Sequence, residues 1–193
     1  MPSKKDNIIY EKGTEYKIKD KVFELIITPL EIKEKVVELS GWLNEKFKAE
    51  TPVLIPVLTG SFLLTGDLLP LLEFRYDMNF IKVSSYGSEM ESGGIIQEVI
   101  GLNMSLEGRS VIVIEDIIDT GLTVDYIVEK LKSAGAKEVL LITLIFKRTN
   151  WTGTEYPDWI GFELDDRFVV GYGMDYGEQG RSLRAIYALK TFI

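Results

Sequence analysis

Glu115 and Asp116 stand side by side directly after the β-branched run Val111-Ile112-Val113-Ile114, and Asp119-Thr120-Gly121-Leu122-Thr123 follows almost at once. The run reads as a buried strand, and the later stretch as the opening of a helix. In open parallel sheets, ligands sit beyond the carboxyl ends of the strands, so these polar groups are delivered to where a ligand belongs. Two adjacent carboxylates can accept hydrogen bonds from a vicinal diol, such as the 2′ and 3′ hydroxyls of ribose, or hold a hydrated magnesium ion. A helix N-terminus with threonine hydroxyls and a glycine that admits close approach suits a phosphate monoester. A diol site beside a phosphate cradle describes a ribose 5-phosphate. Taken singly, the acid pair could be a solvated turn. Asp119-Thr120 is also expected to cap the helix, since capping and phosphate binding use the same amides.

Composition narrows the chemistry further. The 193 residues suit one domain, or one domain with a small lobe, and 46% hydrophobic residues provide for a sizeable core. There is no cysteine and no histidine. Disulfides, cysteine nucleophiles, thiolate zinc sites, the Ser-His-Asp triad and His-ligated metals are thereby excluded. Carboxylates, lysine, arginine, tyrosine and backbone amides remain, and hard oxygen ligands favour magnesium. A net charge of −8 and a pI near 4.8 oppose binding to a phosphate backbone, so no nucleic-acid partner is expected. The polar N-terminus has no apolar signal-peptide core, and the longest strongly apolar run, residues 139–146, is too short to cross a bilayer. A soluble, cytoplasmic protein with no membrane partner is the expectation.

The elements that must position these residues are legible in the pattern. Thr28-Pro29-Leu30-Glu31 reads as a capping box, and Ile32, Val36, Leu39, Leu43 and Phe47 recur at helical spacing over residues 29–47. Residues 53–58 read as a buried strand stopping at Thr59-Gly60, with a helix over about 62–72 directly after it. Two strands, 78–83 and 95–102, flank the polar, Gly- and Ser-rich stretch 84–94. Strand 111–114 leads to a helix carrying Val124, Ile127, Val128 and Leu131, closed by Gly135. Strands at 139–146, 160–164 and 169–172 complete an α/β reading, without repeats or linkers. Trp42, Trp151 and Trp159 read as core or interface residues. Gly171-Tyr172-Gly173 with Gly177 lacks the βαβ context of a dinucleotide fingerprint and reads as strand and turn glycine; no P-loop sequence is present.

Val111-Ile112-Val113-Ile114-Glu115-Asp116-Ile117-Ile118-Asp119-Thr120-Gly121-Leu122-Thr123 resembles the signature of type I phosphoribosyltransferases, and its Glu115 to Gly121 portion is similar to the hypoxanthine-guanine branch. The similarity continues in Phe146-Lys147-Arg148-Thr149, in Gly161-Phe162-Glu163, and from Arg167-Phe168-Val169-Val170 through Gly173-Met174-Asp175-Tyr176 to Glu178 and Arg181, covering roughly residues 53–185. The resemblance implies a central, mostly parallel sheet flanked by helices, with a small hood and a flexible lid. One domain would span 1–193, with its core at about 28–175, its lid at 84–94, and its hood drawn from the N-terminal segment and residues 150–193.

The resemblance also implies a purine salvage transferase that joins hypoxanthine or guanine to 5-phosphoribosyl 1-pyrophosphate (PRPP), giving IMP or GMP plus pyrophosphate, with Mg²⁺ as cofactor. Asp119 is then the general acid/base near N7 of the purine, and Lys147 the donor to the oxygen at C6. Phe168 stacks on the base, and Val169 contributes its backbone carbonyl. Asp175 reaches a second metal region beside that of Glu115 and Asp116. Arg181 and magnesium neutralise the leaving pyrophosphate. Ile117, Ile118 and Thr120 to Thr123 belong to the phosphate loop, Thr59-Gly60 offers amides to pyrophosphate, and Ser85-Tyr86 begins the lid. Without the resemblance, Lys147 reads as a solvated strand-end lysine, Phe168 as a packed strand aromatic and Asp175 as a turn carboxylate. Related enzymes often carry a basic residue where this chain has Thr59. Transfer to xanthine or another base, or a PRPP-sensing regulator that binds nucleic acid, are the alternative readings. A homodimer or homotetramer is implied by the resemblance alone.

Overall fold

A computed structural model describes residues 10–86 and 95–190 of the chain. Two sheets organise it, one of seven strands and one of four. β1 (Glu15–Ile18) and β2 (Lys21–Ile27) precede α1 (Pro29–Lys46), after which come β3 (Val53–Leu58), α2 (Phe62–Leu68) and β4 (Asp77–Met78). β5 (Ile81–Tyr86), β6 (Ile95–Ile100), β7 (Ser110–Ile118), α3 (Leu122–Ser133), β8 (Glu138–Phe146) and β9 (Trp159–Glu163) follow. β10 (Val169–Val170) and β11 (Ile186–Leu189) end the described part.

The larger sheet runs in the order β6-β5-β3-β7-β8-β9, with β4 added beside β3. Its strands are parallel except for β6, which pairs antiparallel with β5. Both faces are covered, which is why its central strands are continuous apolar runs rather than alternating ones. Leu54, Ile112, Ile114, Leu140, Ile142 and Leu144 meet α1 and α2 on one face. Val53, Ile55, Val111, Val113 and Leu141 meet Val124, Ile127 and Leu131 of α3 on the other. The capping box at α1 forms as expected: Thr28 Oγ1 accepts from the Glu31 N–H, and Glu31 accepts from the Thr28 N–H at 2.9 Å. Gly135 follows the end of α3 with φ at 88°, the left-handed position that glycine enters without a Cβ clash.

Several boundaries differ from the sequence expectation. The second helix ends at Leu68, and a 3-10 turn over Leu69–Leu71 replaces its last part, because Pro70 carries no N–H for a continuing α-helix. Ser84, Ser85 and Tyr86 belong to β5, where Ser85 pairs with Ile96 and Tyr86 with Ile95. They lie in a ladder rather than in a loop; residues 87–94, the remainder of the expected lid, lie outside the described residues. β7 extends to Ile118, because β8 accompanies it as far as the Ile118–Phe146 pairing. Glu115 and Asp116 therefore sit within a strand rather than after one.

The four-stranded sheet, ordered β1-β2-β11-β10, is assembled from residues far apart in the chain. One side, through Ile27, Val169, Ile186 and Ala188, joins the main core, while Phe23, Leu25, Val170 and Tyr187 form a separate cluster on the other. β9, placed by sequence within the hood segment, is instead the edge of the large sheet beside β8. Among the described residues, no helix is long and apolar enough to cross a membrane.

Candidate active site

The site opens where β3 parts from β7. The two pair from Val53–Val111 to Pro56–Ile114, and β3 then continues against β5 through Val57–Ile81 and Leu58–Lys82. Chain order reverses around β3, with β4 and β5 on one side and β7 on the other, the kind of crevice where open α/β sheets bind ligands. A cavity of about 300 Å³ fills it, lined by Thr59 and Gly60 after β3, by Glu115 to Ile118 at the end of β7, and by Asp119 to Gly121 with Thr123 beyond it. The Leu58–Thr59 peptide is cis. A Cβ on Gly60 would lie 1.9 Å from Asp116 Oδ2, so any side chain there would push the Asp116 carboxylate aside. Gly173, at φ 104°, backs the same turn, and a Cβ on it would fall 1.8 Å from the Gly60 carbonyl oxygen.

Glu115 is 6% exposed and Asp116 half-buried. Burial, and next the Asp116 charge, push the Glu115 carboxyl well above the usual carboxylate range. Burial also raises Asp116, though less, since hydrogen bonds to its charged form and the Arg181 guanidinium oppose the shift. Burial thus disfavours the charged form of both carboxyls, and of Glu115 the more strongly.

α3 begins without a side-chain cap: Gly121 occupies the N-cap position at φ 90°. The expected capping by Asp119 or Thr120 does not form, because the N-cap position falls to Gly121, which has no side chain to offer, and the first-turn amides are left for an external acceptor. Gly121 is required by its φ and by Trp151, whose indole would lie 2.9 Å from a Cβ there. The segment after β8 is pinned beneath the loop, Thr152 N–H donating to the Thr120 carbonyl at 2.9 Å.

Lys147 departs from the solvated strand-end residue that its local sequence suggests. Its backbone N–H donates to the Ile118 carbonyl at 2.9 Å, which draws the side chain inward to 6% exposure. The ammonium meets Asp119 Oδ2 at 3.0 Å and stands 3.9 Å from Asp166, so the buried charge is compensated. Asn150 Nδ2 donates to the other Asp119 oxygen at 2.8 Å. Sequence reading passes over Asn150; the available signal was a turn-forming asparagine three positions after Lys147.

A second cavity, of about 250 Å³, is shared by Gly60, Asp116, Ile117 and Asp119 with Lys147, Phe168, Val169, Met174, Asp175 and Arg181. Phe168 is 46% exposed rather than packed away, leaning on Phe23 and Tyr176 at centroid distances of 6.4 and 6.0 Å. Arg181 bonds Asp175 at 2.8 Å and the Gly173 carbonyl at 3.0 Å, while Asp175 accepts from the Glu178 N–H at 2.7 Å. Ile118 lines the first cavity only. Leu122 lines neither and is 53% exposed on α3. Ser85 and Tyr86 lie on β5.

Among the described residues, no three carboxylates converge into a protein-only metal cage. Magnesium fits such a setting: it is commonly held by one or two carboxylates with substrate and water oxygens completing its shell. Asp116 and Asp175, lining one cavity, are such carboxylates.

A parallel α/β sheet with an acid pair, an uncapped glycine-opened helix and a lysine-paired aspartate around its switch point has the architecture of a type I phosphoribosyltransferase. The profile of the phosphoribosyl transferase domain matches residues 27–177, and the chain belongs to that family. It is 38% identical, over 91% of its length and 98% of the relative's, to the hypoxanthine-guanine phosphoribosyltransferase of Bacillus subtilis. Over 90% of this chain and 98% of the relative's, it is 34% identical to that of Aquifex aeolicus. A crystal structure of a hypoxanthine-guanine phosphoribosyltransferase from Bacillus anthracis superposes with a TM-score of 0.82 at 33% identity, covering 90% of this chain and 100% of that one.

Proposed function

We propose that the chain transfers the phosphoribosyl group of PRPP to hypoxanthine or guanine, giving IMP or GMP and releasing pyrophosphate. The observation that carries this reading is the pair of buried Lys147 with half-buried Asp119, which lines one cavity together with the open ring of Phe168, with a second cavity beside it ending on the uncapped start of α3. The 5-phosphate accepts from the first amides of α3, and the ribose hydroxyls lie against Glu115 and Asp116. The base stacks on Phe168, with the Val169 carbonyl at its edge. The Lys147 ammonium donates to a C6 oxygen; adenine presents an amino donor at that position and is disfavoured.

Displacement at the anomeric carbon passes through an oxocarbenium-like state and needs no protein nucleophile, which suits a chain without cysteine or histidine. Positioning and charge neutralisation supply the rate. Asp119 exchanges the proton at N7 as the new bond forms. Arg181, with the Thr59-Gly60 amides, receives the departing pyrophosphate. Bound magnesium supplies charge neutralisation to the pyrophosphate, held by Asp116 and Asp175. Residues 84–94, beginning at Ser85 and Tyr86, serve in this reading as the cover that excludes water during transfer. The protein works in the cytoplasm as a homodimer or homotetramer; an apolar groove of about 540 Å³ between α1 and α2, with Val37 and Phe62 in its lining, supports self-association.

The test is to incubate the protein with PRPP, Mg²⁺ and each of hypoxanthine, guanine, xanthine and adenine in turn, and to look for the nucleotide. IMP and GMP are expected, with xanthine and adenine poor; absence of both products overturns the reading.

A further inference from the structure

Asn150 occupies the turn after β8, where its backbone N–H donates to the Lys147 carbonyl at 3.1 Å. Its side-chain amide donates to Asp119 Oδ1 at 2.8 Å, while Lys147 Nζ donates to Oδ2 at 3.0 Å. Both oxygens of one carboxylate are thus held by donors from a single turn. The same amide nitrogen also reaches Asp166 Oδ1, and Asn150 Oδ1 accepts from Thr149 Oγ1 at 3.4 Å. Two carboxylates face this amide, so its NH₂ end must point toward them, because the oxygen end offers only an acceptor.

The terminal torsion of an aspartate is broad, and a carboxylate held through one oxygen can still turn about that contact. A second donor on the other oxygen fixes its plane. Each carboxylate oxygen keeps a further lone pair, so both contacts leave room for a substrate proton. An acid/base group works only with its oxygen within hydrogen-bond reach of the proton it exchanges, and small misplacements carry large rate losses.

We propose that Asn150 is the positioning residue for Asp119. It sets the plane in which that carboxylate meets the purine, with Lys147 as the opposite anchor and Asp166 holding Asn150 in turn. The inference deepens the transferase reading above and rests on it.

A double-mutant cycle tests it, using the full chain with PRPP, Mg²⁺ and guanine. Asn150→Ala, and Asn150→Leu, which keeps the volume but removes the donor, should each lower kcat roughly tenfold, the scale of losing one hydrogen bond to a charged group. KM for PRPP and Kd for GMP should stay within about twofold of the parent, because neither depends on the plane of Asp119. In an Asp119→Asn background, the residual single-turnover rate should respond to Asn150→Ala by no more than about twofold, since the group it positions is already gone. Parental kcat in both single variants overturns the proposal, as does an equal fold-loss in the Asp119→Asn background. Melting curves accompany each variant: should Ala unfold at the assay temperature, Leu supplies the comparison, and unfolding of both assigns Asn150 to the fold instead and overturns the positioning role. The underlying reading fails separately, if the parent protein makes neither IMP nor GMP.

Discussion

Replacing Asp119 by Asn keeps the shape of the side chain and removes its ability to take up a proton. Turnover should fall by roughly 10²- to 10⁴-fold, the usual contribution of general acid–base catalysis. GMP affinity, measured calorimetrically, should be largely preserved, because the α3 amides and Glu115 and Asp116 do not depend on that charge. Unchanged turnover would remove Asp119 from the chemistry. Lys147→Ala should act on the base instead, raising its KM by roughly tenfold or more and narrowing the preference for 6-oxo purines over adenine; base-exchange kinetics with intact selectivity would contradict the assignment. At this scale the acid pair and the glycine-opened start of α3 were readable because strand and helix starts have local signatures. Local sequence missed the burial of Lys147, because what draws its side chain inward is a backbone contact to Ile118, distant in the chain. Asn150 escaped notice for the same reason: its partner, Asp119, is 31 positions away.

α1 offers a test of local electrostatics. Glu31 is held at about 2 instead of 4.5, first by the hydrogen bond from Lys12 and then by the Thr28 N–H. A carboxyl held below its usual pKa stabilises the fold above its unfolded pKa and loses that contribution as pH falls through the folded one. Glu31→Gln, which retains an acceptor for the capping box, should therefore lower stability at neutral pH. Its carboxylate is about a third exposed, so the deficit should be only on the order of 0.5 kcal/mol. The deficit should shrink from pH 4.5 towards 2; melting curves at several pH values that show a constant gap would refute the charge contribution. Helices, central strands and the capping box were foreseeable from periodicity. Of the sheet of β1, β2, β10 and β11, only the strand at 169–172 was, although Phe23, Leu25 and Ile27 alternate at a spacing of two, because β2 finds its partner β11 more than 150 residues downstream. β7 outran its expected end because β8, not its own apolar run, sets its length.

Taken whole, the chain couples an acidic exterior to a pocket designed for anions. A net charge of −8 should prevent salt-sensitive retention of RNA in a filter-binding assay at low ionic strength; tight binding that weakens with added salt would favour the nucleic-acid regulator reading. In the proposed reading, attraction of phosphates is then local, from the α3 amides and Arg181, and not from the molecule's overall field.

Gly173 meets the Gly60 carbonyl, backbone against backbone, and Gly60 in turn meets the Asp116 carboxylate, so neither glycine leaves space for a side chain. The turn after β3 is consequently held between the loop after β10 and the acid on β7. A displacement of that turn is handed to both neighbours, so variation in this pocket is channelled to its rim.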